Sequence, residues 1–138
     1  MRHLTCLEVE DGACVAQELA GILAGCPGLS TLRIPNMSRV PNLCPVAATV
    51  RVLDISGRTR IDDGALATFT QVVEFNVCDN PFVTTVTPVA STLLILDASG
   101  SNCGIDDAGL ADATQLVELN VSDNGNVTHV RPCQPSPW

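Results

Sequence analysis

VEFNVCDNPFVTTV, residues 73–86, returns almost unchanged as VELNVSDNGNVTHV, residues 117–130. In each copy apolar and polar residues alternate over five positions, the period of a strand with one buried face. A D-N pair then ends the run. One step upstream, Val72 and Leu116 complete an aliphatic-x-x-aliphatic-x-aliphatic signature that occurs six times. Its positions are Leu4-Leu7-Val9, Leu29-Leu32-Ile34, Val50-Leu53-Ile55, Val72-Phe75-Val77, Leu93-Leu96-Ala98 and Leu116-Leu119-Val121. Successive starts lie 25, 21, 22, 21 and 23 residues apart.

Numbered from the first aliphatic, position nine is Asn80 in the fourth unit and Asn124 in the sixth, while Arg58 and Ser101 hold it in the third and fifth. Position twelve is aliphatic at Val15, Val40, Ile61, Val83 and Val127, and slips by one to Ile105 in the fifth unit. Spacing and register match leucine-rich repeats. One such unit cannot bury its apolar face, so only stacking produces a core. The sequence therefore predicts an α/β fold: a right-handed solenoid of six coils with a parallel sheet on its concave face. The coils span about 4–28, 29–49, 50–71, 72–92, 93–115 and 116–138, with strands centred near residues 7, 32, 53, 75, 96 and 119. Asn80 and Asn124 are expected to be structural, their amides satisfying backbone groups that the turn would otherwise bury unpaired.

The 44-residue duplication is two coils long, so odd and even units differ. LDISGRTRIDDGALATFTQ (53–71) matches LDASGSNCGIDDAGLADATQ (96–115), and PVAAT (45–49) matches PVAST (88–92). In the odd units Asp63 and Asp107 precede apolar-rich stretches and read as N-caps of short helices. In the even units Pro45, Pro88 and Pro132 are expected to replace the helix with an extended or turn segment. The convex side should then alternate short-helix and irregular segments.

The residues resemble leucine-rich-repeat proteins over nearly the whole chain. The D-x-S-G, Ile and D-D-A-G-L features of the odd units are similar to the cysteine-containing subclass found in F-box substrate receptors. The alternation of S-G/I-D-D units with N-V-x-D-N/V-T-x-V units resembles the large repeat families of kinetoplastid protists. What the resemblance implies is protein–protein interaction through the concave sheet, without catalysis. No polar capping unit precedes Leu4 and no capping helix follows RPCQPSPW, so a fragment or uncapped part of a longer array is expected.

Composition bounds the partners. The 138 residues carry a net charge of −8, with all seven basic residues arginine. Such a balance repels phosphate backbones and anionic surfaces, which argues against nucleic-acid and membrane roles. No apolar run approaches the roughly 18 residues of a membrane helix. Glu8 and Glu10 interrupt what a signal peptide would keep apolar. Seven cysteines without a C-x-x-C pair fit free thiols and a cytoplasmic setting.

The candidate site is the concave face. Position five reads Glu8, Arg33, Asp54, Asn76, Asp97, Asn120; position three reads Cys6, Thr31, Val52, Glu74, Ile95, Glu118. Of these, Glu74, Asn76, Ile95, Asp97, Glu118, Asn120, Asp54 and Arg33 are the expected ligand-binding set, an acidic surround with apolar Ile95 at its centre. Solubility alone does not require Val52 and Ile95 to face outward. Asp62-Asp63 and Asp106-Asp107 lack the D-x-D-x-D-G calcium loop, and helix capping accounts for Asp63 and Asp107. Asp54 and Asp97 lie near the separation of an inverting glycosidase pair, but an open face offers nothing to raise one carboxyl's pKa. His3 and His129 lie at opposite ends, so no triad or zinc site forms with them. The expectation is a non-enzymatic module without metal or cofactor, binding a protein ligand with a basic surface. Alternatives are the repeat piece of a ubiquitin-ligase substrate receptor, or a structural copy with no ligand of its own.

Overall fold

The structure, a computed structural model, describes residues 3–10, 16–61 and 63–128. Six strands, β1 (Cys6–Glu8), β2 (Thr31–Arg33), β3 (Val52–Asp54), β4 (Glu74–Asn76), β5 (Ile95–Asp97) and β6 (Glu118–Asn120), form one sheet. Every neighbouring pair is parallel and the spatial order is the chain order. Leu7, Leu32, Leu53, Phe75, Leu96 and Leu119 occupy one row across it, so the expected strand centres share a single layer.

Positions one, four and six of each unit make the core. From Leu29 to Ala98 all of them are buried, most with no accessible surface. Outside the sheet the backbone pairing continues in the same register. Position-six amides of Ile34, Ile55, Val77 and Ala98 donate to the position-five carbonyl of the next unit, and position-eight amides of Asn36, Gly57, Asp79 and Gly100 donate to its position-seven carbonyl. Each unit thus continues the hydrogen-bond ladder of the one before it.

The crossovers depart from the expected alternation. α1 (Ala16–Ala24) follows β1, α2 (Cys44–Ala47) follows β2 and α3 (Asp63–Leu66) follows β3, while 3-10 turns at Thr87–Val89 and Ala108–Leu110 follow β4 and β5. Even units therefore carry a helical turn too. Pro45 and Pro88 sit in the first turn of theirs, where the missing N–H had no helical partner to lose. Pro132, Val15 and His129 lie outside the described residues.

The N-cap assignments also change. Asp63 is the first residue of α3, and its carboxylate accepts from Thr84 Oγ1 at 2.8 Å and Thr84 N at 3.3 Å. Asp107 does hold the N-cap place of the 3-10 turn Ala108–Leu110, but with helical φ −58° and ψ −42° and no side-chain capping bond; Thr128 N at 2.9 Å and Thr128 Oγ1 at 2.7 Å donate to it. The capping falls to Asp106, whose Oδ1 accepts from Gly109 N at 2.8 Å. A neighbouring unit in reach offers an amide and a hydroxyl together, and two charge-assisted bonds outcompete one cap. Asp62 lies outside the described residues.

Asn80 and Asn124 hold the places expected of them. Asn80 is fully buried; its Nδ2 donates to Ile55 O at 2.6 Å and Thr59 O at 3.0 Å, and its Oδ1 accepts from Phe82 N at 2.8 Å. Asn124 repeats the arrangement with Ala98 O at 2.8 Å, Ile105 O at 3.1 Å and Asn126 N at 2.9 Å. Each amide thus stitches an even unit to the odd unit before it.

The other joint, even to odd, is built differently. Position eight is left-handed in five consecutive units: Asn36 (φ 54°), Gly57 (φ 71°), Asp79 (φ 55°), Gly100 (φ 98°) and Asp123 (φ 60°). Asn and Asp tolerate this region better than other non-glycine residues. Asn36 Oδ1 reaches across to accept from Arg58 N at 3.0 Å, and Asp79 Oδ1 accepts from Asn102 N at 3.1 Å. A Cβ on Gly57 would run into Asn36 Oδ1, and one on Gly100 into Asp79 Oδ1. A side chain in the even unit and its absence in the odd unit are two halves of one contact. This is the physical content of the 44-residue period.

Candidate functional site: the open face of the sheet

Register places the outward residues in two rows. Cys6, Thr31, Val52, Glu74, Ile95 and Glu118 stand side by side, as do Glu8, Arg33, Asp54, Asn76, Asp97 and Asn120. Strands lie about 4.8 Å apart, so Glu74 and Glu118 flank Ile95 at one strand's distance on either side. Both glutamates are exposed and Ile95 is half-buried. Arg33 stands between Glu8 and Asp54.

The two rows differ in what their side chains already do. Asp54 Oδ1 accepts from Ser56 N at 2.9 Å, Asn76 Oδ1 from Cys78 N at 2.9 Å, Asp97 Oδ1 from Ser99 N at 3.0 Å, and Asn120 Oδ1 from Ser122 N at 3.0 Å. Asp97 Oδ1 also takes the Ser99 hydroxyl at 2.5 Å. These are Asx turns, which end each strand by offering the backbone a local partner. Position five thus has a structural use in four consecutive units, and the expected ligand residues Asp54, Asn76, Asp97 and Asn120 are in part turn-formers. Glu74, Ile95 and Glu118 have no such task.

Several residues with structural work were not singled out in the sequence. Thr59 is fully buried; its hydroxyl donates to Ile34 O at 2.6 Å and accepts from Met37 N at 3.1 Å. Ile34, Ile55 and Ala98 are all position-six residues, so Thr59 serves its joint as Asn80 and Asn124 serve theirs. It stands one place beyond the Arg58 that occupies position nine. The Asn36/Gly57 and Asp79/Gly100 pairs carried a visible signal, the alternation of a side chain and glycine at position eight from the second unit to the sixth.

Cys103 is buried and desolvation pushes its thiol above the ordinary range; its backbone bond to Ile105 opposes this, and nearby Cys78, Asp79 and Asp97 add to the rise. Ser99 Oγ donates to Cys78 Sγ at 3.3 Å. Among the described residues no cluster of three or more His, Cys, Asp or Glu is placed to hold a metal ion, and no helix is long and apolar enough to cross a membrane. A scan against protein-family models finds no match, and a search of curated proteins finds none.

Proposed function

We propose that this chain is a six-coil, right-handed leucine-rich-repeat solenoid that acts as a non-enzymatic interaction module, binding a basic protein surface through the open face of its sheet. The observation that carries the proposal is the placement of Glu74, Ile95 and Glu118 side by side on three adjacent strands. An apolar centre flanked by exposed charge is the arrangement of a binding patch. Because Asp54, Asn76, Asp97 and Asn120 are engaged in turns, the position-three row carries the recognition and position five shapes the surface beneath it. With a net charge of −8, the whole chain attracts a basic partner at range.

The test is kinetic. A partner obtained by unbiased capture should associate faster at low salt, because exposed charge is screened within about 10 Å at 0.1 M. Reversing Glu74 and Glu118 to lysine should slow association about tenfold, and Ile95→Asp should act on the dissociation rate. A partner that binds all three variants like the parent removes the open face as the binding surface.

A further inference from the structure

The third and fifth units share L-D-x-S-G, I-D-D, L-A and T-Q, but after I-D-D the third has Gly64-Ala65 where the fifth has Ala108-Gly109. At Gly109 the fifth unit lies directly against the fourth. Its carbonyl accepts from Val86 N at 3.0 Å and Thr85 Oγ1 at 3.3 Å, and a Cβ there would run into the Thr84 carbonyl. Ala65, at the equivalent place in the third unit, has the Cβ that this closure excludes. Its carbonyl accepts from Thr68 Oγ1 at 2.7 Å, within its own unit.

Where the fourth and fifth units close, the second and third leave a cavity of about 340 Å³. Val40, Pro41 and Leu43 line it from the second unit, and Ile61 and Ala65 from the third. Pro41 stands where the fourth unit has Thr84, and Leu43 where it has Val86. At the rim the Arg60 guanidinium lies 4.8 Å from the centroid of the Phe82 ring. Arg60 is exposed, and among the described residues no carboxylate pairs with it. Asp63, three residues on, is held by Thr84.

A volume within the ordinary range of ligand sites, apolar walls and one positioned cation together specify a ligand chemistry. We propose that this cavity binds a small amphipathic carboxylate, its hydrocarbon body against Val40, Leu43 and Ile61 and its carboxylate at Arg60. Phe82 holds the guanidinium in place through its ring face while leaving the N–H groups free to donate. The site is separate from the position-three row and does not depend on it.

Octanoate serves as the probe, with octylamine matching its tail and reversing its charge. Titration of the full chain, followed by amide shifts, should show saturable octanoate binding centred on Val40, Ile61 and Ala65, with octylamine weaker by at least about tenfold. Arg60→Gln should bring octanoate down to the octylamine level. Exchanging Gly64→Ala together with Ala65→Gly gives the third unit the Ala-Gly order of the fifth, removes the Cβ that holds this joint open, and should abolish octanoate binding with strand amides unmoved. Val40→Trp, which fills the cavity, should do the same by a route that leaves the loop alone. Equal uptake of octanoate and octylamine, full affinity in Arg60→Gln, full affinity in Val40→Trp, or no binding by the parent would each overturn the proposal.

Discussion

At Gly100 a left-handed backbone and a neighbour's side chain impose the same requirement. Alanine there would be strained at φ 98° and would also displace Asp79 Oδ1. Gly100→Ala should therefore cost about 1–3 kcal/mol. In an Asp79→Gly background the steric part disappears, so a double-mutant cycle by urea denaturation should return a coupling of about 1 kcal/mol. Strict additivity would mean that the two residues are strained independently. Asn80→Ala removes the side-chain donor to the Ile55 and Thr59 carbonyls and the acceptor of Phe82 N, and should cost on the order of 1–3 kcal/mol. Thr59→Val removes one buried hydroxyl and should cost about 1 kcal/mol, checked by the same denaturation midpoints. Asn80 and Asn124 were legible because a side-chain amide at position nine can both donate to and accept from the backbone across a turn. Thr59 was hidden by a one-residue offset, which a fixed register cannot see.

Strands and crossovers differ in how openly the chain declares them. The strands were readable to the residue, because three apolar positions per unit must all face inward and a one-residue slip would turn every one outward. The helical turns were not. Segments of three or four residues have little intrinsic helical stability and form where the next unit fixes both their ends. Proline was weighed as a breaker, whereas at the start of a turn its fixed φ is already helical. Pro45→Ala should thus keep α2 and lower stability by only about 0.4–1 kcal/mol, through the looser unfolded chain. A stability gain on substitution, measured by thermal or urea unfolding, would return Pro45 to the role of helix breaker. The aspartates taught the same lesson: beside a second unit, Asp63 and Asp107 bond outward to Thr84 and Thr128 in preference to their own helix ends. So did the open face, where the alternating Asp and Asn of position five also end their strands.

Across the whole molecule, protection should follow burial. Leu32, Leu53 and Leu96 have at most 1% of their surface exposed and Phe75 has 2%, while Leu4, Leu7, Leu119 and Val121 are only partly covered and Val117 is 67% exposed. Hydrogen exchange should therefore be slowest in β3 and β4 and fastest in β1 and β6. Maximal protection in either outer strand would contradict a core whose layers are stabilised from both sides. The alternation at position eight has a last consequence, for how such a chain can change in length. Excising residues 50–92 in frame would bring Asn36 beside Gly100, and the side chain would again find an empty place to occupy. Excising residues 50–71 alone would bring Asn36 beside Asp79, two side chains in a space shaped for one. From the second unit onward, recombination between copies can therefore shorten or extend the chain cleanly only by pairs, and such units should be gained and lost in steps of two.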